Sequence, residues 1–504
     1  MATIKLTGRK QAAKNISIYA VGTIVRQLAA FIMLPIYTSY LTPADYGIVA
    51  LLVLMLTLFE LVLGARFTQA IPKFYYEKES EQERREVITT ALVLTAAVSV
   101  ISVSIIGYFS EPIARLAFDS ANYTRHVQLY CIVLLTSALE GYGLTYFRIQ
   151  ERPILFVVNS IAKLVVQLSL NIYFVVYLEM GVMGVVYSAV ISSVSFGLFA
   201  VGYILYFNGY WFNRALIKSF LRFSWPLWLA GLAGLYVGSS SQAYIKIFSD
   251  LSNVGLFELA NKFAAIIGLL IWAPFSQWWQ TERFKIYQTE DKGITVFPMV
   301  FNAMVIVLLF AGLGITLFGE IVIRLMADAA FYTASLAIPF LVVAKIFSEL
   351  TNFFKFSFLV TEKTIYLTYI GYGSAISLTL FLIVLVPTFG FIGAGVALML
   401  NSFLLLVVAS YFSKKFFDNN ISFRFFKRVF LVFVFLVSAN YYLSSLYLPF
   451  VWDITVKLGL TLLYMAALSF IVWKDEKLKG LCMELIGYIR KSLGKNKKNV
   501  RGDS

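Results

Sequence analysis

Fourteen apolar stretches follow one another along this chain, and they constrain the fold more than any other feature. A helix of about 20 mostly apolar residues spans the hydrocarbon core of a bilayer. A helix is the expected form because lipid leaves no partner for free backbone N–H and C=O groups. The sequence therefore predicts an all-α polytopic membrane protein with about 14 transmembrane helices. The predicted spans are 16–40, 46–71, 87–109, 127–149, 154–178, 182–207, 223–248, 254–281, 295–319, 336–361, 365–387, 391–413, 427–448 and 452–473.

Lysine and arginine indicate the orientation of these spans. With fourteen spans both termini lie on one side, and the segments on that side carry 31 basic residues. The opposite side carries three, Arg115, Arg125 and Arg324. The positive-inside rule places both termini in the cytoplasm. Loops that face anionic headgroups account for the net charge of +15, so a nucleic-acid partner is not expected.

An internal repeat relates spans 1–6 to spans 7–12 at an offset of 208 or 209 residues. Six spans separate the copies, so the two halves run parallel, as in many transporters with a central cavity. We predict an N-terminal six-helix lobe at 1–207, a C-terminal six-helix lobe at 208–419, and spans 13 and 14 with a basic cytoplasmic tail at 420–504. The matched pairs include Gly47 with Gly255, Phe67 with Phe275, Gln69 with Gln277, Glu140 with Glu349, Gly181 with Gly390 and Gly184 with Gly393.

Charged residues inside the spans are the candidate functional groups, because an ionised side chain at mid-bilayer costs about 2.5–3.5 kcal/mol on insertion scales. Some have local explanations. Self-pairing along one helix competes with a cavity role for the two pairs spaced four residues apart, Glu258 with Lys262 and Lys345 with Glu349. Lys246 and Lys457 lie near span ends and are expected to extend toward the interface. The span charges are Arg26, Arg66, Lys163, Lys246, Lys262, Lys345, Lys355, Lys457, Glu60, Glu140, Glu258 and Glu349.

Arg26 and Arg66 have no such local explanation. Arg26 has no acidic residue within four positions. Glu60 lies six residues before Arg66, about 120° away around a helix, so the two do not form a local pair. Glu140, Lys163 and Lys355 also lack local partners. The span charges sum to +4, and a cavity that collects them would attract an anionic substrate. Arginine in particular suits phosphate, since its planar fork donates two parallel hydrogen bonds.

No catalytic signature accompanies these charges. The chain has no nucleotide-binding loop, no zinc-protease motif and no nucleophile elbow. Its two cysteines, Cys131 and Cys482, and its lone His126 show no metal-site spacing. We therefore expect no catalytic residue, no metal and no cofactor, and we interpret the chain as a transporter rather than an enzyme.

Three stretches resemble a known family. "LPIYTSYLTPADYGIVALLVLMLTLFELV" (34–62) and "VGLFELANKFAAIIGLL" (254–270) are similar to Wzx-type polysaccharide flippases, the O-antigen repeat-unit exporters used in lipopolysaccharide synthesis. "GARFTQAIPKF" (64–74) is similar to the second span of lipid II flippases. These families belong to the multidrug/oligosaccharidyl-lipid/polysaccharide (MOP) exporter superfamily. The resemblance departs at span 7, where many sugar-lipid exporters have an Asp-Arg pair and this chain has "SQAYIK" (241–246).

The resemblance implies a two-lobed flippase of the bacterial inner membrane. Its substrate would be an undecaprenyl-pyrophosphate-linked oligosaccharide, turned from the cytoplasmic to the periplasmic leaflet by alternating access. We expect Arg26 and Arg66 to bind the pyrophosphate, with Lys262 and Lys355 assisting. Expected partners are membrane lipids and the polymerase and chain-length proteins of the same pathway. Candidates for coupling to H⁺ or Na⁺ are Glu60, Glu140 and Glu349.

Two alternatives stay open at this point. A cation-coupled multidrug exporter shares the twelve-span core, but it usually lacks spans 13 and 14 and prefers a less basic cavity. A membrane-embedded glycosyltransferase or ligase needs a catalytic acidic motif in a sizeable outer loop. The longest predicted outer loops, 110–126 and 320–335, are short, which makes that alternative the weaker one.

Overall fold

The computed structural model describes residues 33–63, 67–288, 294, 296–363, 365–417, 420–444 and 449–474. Within these residues the chain forms seventeen α-helices and no β-strand. They are α1 (Leu34–Tyr40), α2 (Pro43–Leu63), α3 (Phe67–Tyr76), α4 (Glu81–Tyr108), α5 (Ser110–Phe118), α6 (Thr124–Ile149), α7 (Pro153–Asn171), α8 (Gly181–Asn208), α9 (Ala215–Phe248), α10 (Leu251–Ile266), α11 (Ala273–Tyr287), α12 (Val296–Met326), α13 (Ile338–Phe354), α14 (Phe356–Val360), α15 (Ile365–Phe416), α16 (Phe423–Ser444) and α17 (Phe450–Trp473).

The helices confirm the all-α membrane prediction. In the described parts of the chain, ten helices are long and apolar enough to cross a membrane. The longest, α15, has 52 residues and contains a break at Gly390, so it holds predicted spans 11 and 12. Each predicted span from the second to the fourteenth overlaps described helix, while residues 64–66 of span 2 and 445–448 of span 13 lie outside the described residues. Only residues 33–40 of the first predicted span are described.

Short sequence signals explain where several helices begin. At the start of α2, the Thr42 hydroxyl accepts a hydrogen bond from the Asp45 N–H, and the Asp45 carboxylate accepts one from the Thr42 N–H. Ser80 and Glu83 begin α4 in a similar way, with the Ser80 hydroxyl accepting from the Glu83 N–H at 3.2 Å. These reciprocal bonds satisfy N–H groups that have no partner inside the first turn.

Two π-helical segments interrupt the regular helices. Ile172–Tyr177 continues α7, and Ile267–Trp272 joins α10 to α11. A π segment inserts an extra residue into a helical turn and is frequently found at functional sites. The second of these lies in predicted span 8, and it turns out to approach a buried ion pair described below.

The described chain packs as two compact units. The first comprises the described parts of Met1–Asn261, Ile323–Ala337 and Gly371–Leu398. The second comprises those of Lys262–Val322, Ile338–Ile370 and Met399–Ser504. Units defined by packing do not mark the limits of a sequence repeat, so the lobe boundaries at 207 and 419 stay a prediction.

Each unit has its own apolar interior. In the first, Tyr142 and Phe147 of α6 pack with Val87 of α4 and Phe220 of α9. Tyr142 also donates a hydrogen bond from its hydroxyl to the carbonyl of Ile88 at 2.5 Å, so the one polar atom of this buried ring is satisfied.

Phenylalanine rings dominate the second unit. Phe353 stacks on Trp279 with ring centroids 4.9 Å apart. Phe347 of α13 packs against Phe430 of α16 at 5.4 Å, and Phe354 stacks on Phe423 at 5.7 Å. The contacts of Phe347 and Phe354 pack helix α16 against helix α13.

The backbone supports the internal repeat. Gly181 and Gly390 were matched by sequence, and both have positive φ angles, 54° and 53°. The matched glycines three residues later, Gly184 and Gly393, also share a feature: each lies close to the backbone of a preceding segment. A Cβ at Gly184 would lie 3.0 Å from backbone atoms of Phe174, and one at Gly393 would lie 2.1 Å from the carbonyl oxygen of Leu385. Spans 6 and 12 therefore both begin at a glycine with a positive φ angle, which glycine adopts without a steric penalty.

Candidate functional site

The two arginines predicted to bind pyrophosphate lie outside the described residues. These are Arg26 and Arg66. Glu60 lies on helix α2, but its side chain is likewise outside what the structure describes. The roles assigned to these three residues therefore stay predictions, and the geometry of the site has to be built from the charges that the structure does place.

Glu140 is buried and paired with a neighbouring helix. Its carboxylate on α6 is 8% exposed and forms an ion pair with the ammonium group of Lys163 on α7, which is 22% exposed. Helical spacing could not pair these two residues, because they are 23 positions apart. The pair neutralises both charges where an unpaired charge would be costly. A coupling role for Glu140 would require this pair to open.

A polar strip runs along one face of α13. Lys345 donates to Glu349 at 2.8 Å, so of the two alternatives left open by the sequence, these residues show self-pairing. The amide of Asn352 donates to the other oxygen of Glu349 at 3.0 Å, and Lys355 donates to the Asn352 carbonyl oxygen at 2.7 Å. Glu349 is 3% exposed. The structure thereby brings two predicted site residues, Glu349 and Lys355, together through an asparagine that sequence reasoning did not single out.

The π segment of span 8 lies directly against this strip. A Cβ at Gly268 would fall 2.5 Å from Cε of Lys345 and 3.1 Å from Oε1 of Glu349. Only a residue without a side chain allows the backbone to come this close. A change in the helical winding of Ile267–Trp272 would therefore displace the side chains of the Lys345–Glu349 pair.

The remaining predicted cation, Lys262, is half-buried on α10. One turn earlier on the same helix, Glu258 accepts a hydrogen bond from the amide of Gln242 at 2.8 Å. Gln242 belongs to the "SQAYIK" stretch that replaces the Asp-Arg pair of many sugar-lipid exporters. The span 7 side chain in contact with this carboxylate is thus a neutral amide.

Two lysines expected to extend toward the interface form ion pairs. Lys457 on α17 is 1% exposed; its ammonium group lies 2.7 Å from the Asp453 carboxylate and 3.9 Å from that of Glu320 on α12. Lys246 on α9 is 10% exposed and pairs with Asp119 at the end of α5. The interface prediction was wrong for Lys457, whose ammonium group is buried between two carboxylates. For Lys246 it stays a prediction, because its partner Asp119 is 74% exposed at a helix end.

These pairs narrow the set of cations that could hold an anionic substrate. Lys163, Lys246, Lys345 and Lys457 each have a carboxylate partner among the described residues. Lys355 contacts a neutral amide instead. An ammonium group bound to an amide keeps its charge available to a further anion, whereas one bound to a carboxylate does not.

A reciprocal contact joins spans 2 and 8 within the first unit, and we call it the outer contact. A Cβ at Gly47 would lie 2.0 Å from the carbonyl oxygen of Leu251, and one at Gly255 would lie 2.0 Å from that of Pro43. Gly47 and Gly255 are matched by the repeat, as are Pro43 and Leu251, at the same offset of 208 residues. Each copy of the repeat therefore presents the same surface to the other, as in a two-fold interface.

Further bonds in the first unit connect the same ends of the spans. The Thr38 hydroxyl at the end of predicted span 1 donates to the Met326 carbonyl at the end of span 9 at 3.0 Å. Tyr46 packs edge-on against Phe331 with centroids 5.9 Å apart. By the predicted topology these residues lie on the periplasmic side. The outer ends of spans from both sequence repeats are therefore closely packed together.

Sequence reasoning missed the carboxylate partners of Lys457 and Lys246, for different reasons. Asp453 lies four residues before Lys457, a visible signal of the buried pair on α17. Nothing local signals Asp119 as the partner of Lys246, since 127 residues separate them.

Comparison with known proteins gives a family and a fold. A family model described as "Polysaccharide biosynthesis protein" matches residues 12–278. No curated protein matches the chain by sequence. Among solved structures, the chain is similar to the lipid II flippase MurJ in an inward closed conformation, with a TM-score of 0.70 and 12% identity over 90% of this chain and 97% of that one.

Two transporters of the MOP superfamily are also similar in fold. An inward-facing multidrug resistance transporter of the MATE family gives a TM-score of 0.54 and 15% identity, covering 79% of this chain and 97% of that one. A MOP superfamily transporter from Pyrococcus furiosus gives 0.51 and 15%, covering 80% and 95%. The chain therefore shares its fold with these three transporters.

Proposed function

Because the chain belongs to the family of polysaccharide biosynthesis proteins, we propose that it is a flippase for a lipid-linked oligosaccharide. The proposed substrate is an undecaprenyl-pyrophosphate-linked repeat unit of a surface polysaccharide such as O-antigen. It moves from the cytoplasmic to the periplasmic leaflet of the bacterial inner membrane, with both protein termini in the cytoplasm. Its downstream partners are the polymerase and chain-length proteins that consume the unit.

The observation that carries this proposal is the pair of helices beyond the twelve-span core. Helices α16 and α17 follow span 12, and both belong to the second unit. Phe423 and Phe430 of α16 stack against α13, and Lys457 of α17 is buried between Asp453 and Glu320. A lipid-linked substrate needs protein surface for its prenyl chain as well as a cavity for its head, and two additional helices supply such surface.

The proposed mechanism is alternating access. The cytoplasm-facing state admits the pyrophosphate head, which Arg26 and Arg66 bind, while Lys262 and Lys355 add positive charge. The hydrogen bond from Lys355 to a neutral amide supports this role, because its ammonium group keeps two further N–H donors. The sugar occupies the aqueous cavity and the prenyl chain stays in lipid. The outer contact at Gly47 and Gly255 then separates to release the head.

Return to the cytoplasm-facing state is proposed to be coupled to H⁺ or Na⁺ through Glu60, Glu140 or Glu349. Two of these carboxylates are buried in ion pairs with lysine. A proton or Na⁺ that binds such a carboxylate competes with the lysine, so the pair opens when the ion binds. Because Gly268 lies against the Lys345–Glu349 pair, opening of this pair would change the helical winding of span 8.

Export of the labelled substrate from reconstituted vesicles tests the proposal. The purified full chain is placed in vesicles that contain a fluorescent oligosaccharide on undecaprenyl pyrophosphate. A membrane-impermeant reagent added outside then measures how fast the sugar reaches the outer leaflet. The Arg26→Ala/Arg66→Ala variant should flip at least about tenfold more slowly, since each charged hydrogen bond to phosphate is worth about 1.5–3 kcal/mol.

Arg115→Ala/Arg125→Ala is the matched control, because it also removes two positive charges and both side chains are exposed. It should flip the substrate at the wild-type rate. Wild-type flipping by Arg26→Ala/Arg66→Ala contradicts the pyrophosphate assignment. Export of a cationic drug with no movement of the lipid-linked sugar would contradict the function itself and favour a multidrug exporter.

A further inference from the structure

A basic cavity lies where predicted spans 12 and 13 are joined. Its volume is about 340 Å³, and its lining includes Lys414, Asn420, Ser422, Phe423, Arg424 and Lys427. All of these residues belong to the second unit. Three of the seven described lining residues, which also include Ile421, are cations, and none of these seven is acidic. The cavity is therefore a concentrated positive site.

The three cations are available to a ligand. Lys414, Arg424 and Lys427 are exposed, and within the described residues none of them forms an ion pair. Elsewhere in the described chain, the lysines inside the spans are mostly matched by carboxylates. Three unmatched cations around one cavity hold a local positive potential that a bound anion would lower.

The backbone adds to this potential. Helix α16 begins at Phe423, and the Ser422 hydroxyl accepts a hydrogen bond from the Arg424 N–H at 3.4 Å. The start of a 22-residue helix carries free N–H groups and the positive end of the helix dipole. The side-chain cations and the start of the helix therefore both add positive potential to the same cavity.

Buried apolar residues next to the cavity indicate its position relative to the membrane. Ile421, Phe425 and Phe426 are buried beside the exposed cations. Both flanking helices, α15 and α16, are apolar enough to cross a membrane. The cavity thus lies at the end of two spans, at the level of lipid headgroups, and the topology predicts that this is the cytoplasmic side. Lysine and arginine clusters in this position bind phosphate-bearing headgroups.

We propose that this cavity binds the phosphate group of a membrane lipid in the cytoplasmic leaflet. Arg424 offers a planar fork that can hold two phosphate oxygens, and Lys414 and Lys427 neutralise the remaining charge. The phosphate belongs either to an anionic phospholipid or to a prenyl pyrophosphate carrier that waits at the leaflet. Both lipids present a phosphate group, which is the group that these cations recognise. The proposal does not depend on the flippase function.

Native mass spectrometry of the purified full chain tests this site with three lipids. They are phosphatidylglycerol, a short-chain polyprenyl pyrophosphate, and zwitterionic phosphatidylcholine as the reference. The wild type should bind at least one of the first two more tightly than phosphatidylcholine. One cation near an anionic lipid is worth about fivefold in affinity, so Arg424→Gln/Lys427→Gln should weaken that binding roughly thirtyfold.

Lys415→Gln/Arg428→Gln is the matched control. It removes the same amount of charge, from the end of α15 and the first turns of α16, at positions one residue away from the lining residues Lys414 and Lys427. It should weaken binding less than about threefold. All four side chains are exposed, so both variants should keep the thermal stability of the wild type.

Each outcome decides the proposal. Selective loss of phosphatidylglycerol in Arg424→Gln/Lys427→Gln assigns the site to bulk phospholipid, and selective loss of polyprenyl pyrophosphate assigns it to the carrier. Equal weakening in the two double variants means that diffuse charge binds the lipid, and this overturns the site. Equal binding of all three lipids by the wild type overturns it as well.

Discussion

Replacing Gly255 by alanine should separate the outer ends of spans 2 and 8. The new methyl group would lie 2.0 Å from the carbonyl oxygen of Pro43, and the same substitution at Gly47 would place one 2.0 Å from that of Leu251. Both obstacles are backbone atoms, which cannot rotate away as a side chain can. The two helices must therefore move apart or bend.

The geometry gives the magnitude. An ordinary contact for a methyl carbon begins near 3.4 Å, so the helices have to separate by about 1.4 Å. Overpacking of this kind typically costs about 1–3 kcal/mol. If the cost falls only on the state in which the outer contact is closed, the ratio of closed to open molecules drops by about 5-fold to 150-fold.

The distance between two spin labels measures this shift. Both native cysteines are replaced by serine, and cysteines for labelling are introduced at Leu116 on α5 and Leu325 on α12. These side chains are 84% and 69% exposed and belong to the first unit. Pulsed electron paramagnetic resonance should show a longer-distance population that grows in the Gly255→Ala protein and in the Gly47→Ala protein.

Gly107→Ala supplies the control, because a Cβ there would meet nothing within 4 Å. It should leave the distance distribution unchanged. An unchanged distribution in Gly255→Ala and Gly47→Ala, with export at the wild-type rate, would refute the reasoning that the outer contact closes the periplasmic side. A shift of equal size in Gly107→Ala would attribute the effect to glycine replacement in general.

Four further substitutions test packing in the two units. Lys457→Met should lower the midpoint of thermal unfolding in detergent markedly, because breaking a buried pair costs about 3–5 kcal/mol; an unchanged midpoint would show that the carboxylates do not depend on this lysine. Glu140→Gln and Lys163→Met should be non-additive in the free energy of unfolding by about 0.5–3 kcal/mol, and strict additivity would argue against a functional ion pair. Tyr142→Phe should cost about 1 kcal/mol by removing the hydrogen bond to the Ile88 carbonyl, which the unfolding midpoint would also report.

Much of the fold could be predicted from the sequence because span length and hydropathy are local properties. Each predicted span from the second onward overlaps described helix. The repeat was visible as matched residues at one offset, and the structure gives it physical content. Gly181 and Gly390 share a left-handed conformation, and Gly47 and Gly255 contact the backbone of each other's repeat.

The candidate site was less predictable, because helical spacing reports only neighbours on the same helix face. That rule correctly paired Lys345 with Glu349, four residues apart. It gave no partner for Glu140, whose lysine comes from the next helix. It also gave no partner for Lys246, whose aspartate lies 127 residues away.

The sequence by itself determined that this chain is an all-helical membrane protein with repeated six-span halves and charges within its spans. Lipid imposes helices of fixed length, and that constraint can be read one segment at a time. Only the tertiary structure decided which charges neutralise each other and which stay available. Ion pairing depends on distances between helices, and these are set by packing against neighbours far away in the chain. For this reason, Lys457 became a structural cation and Lys355 remained a candidate for binding substrate.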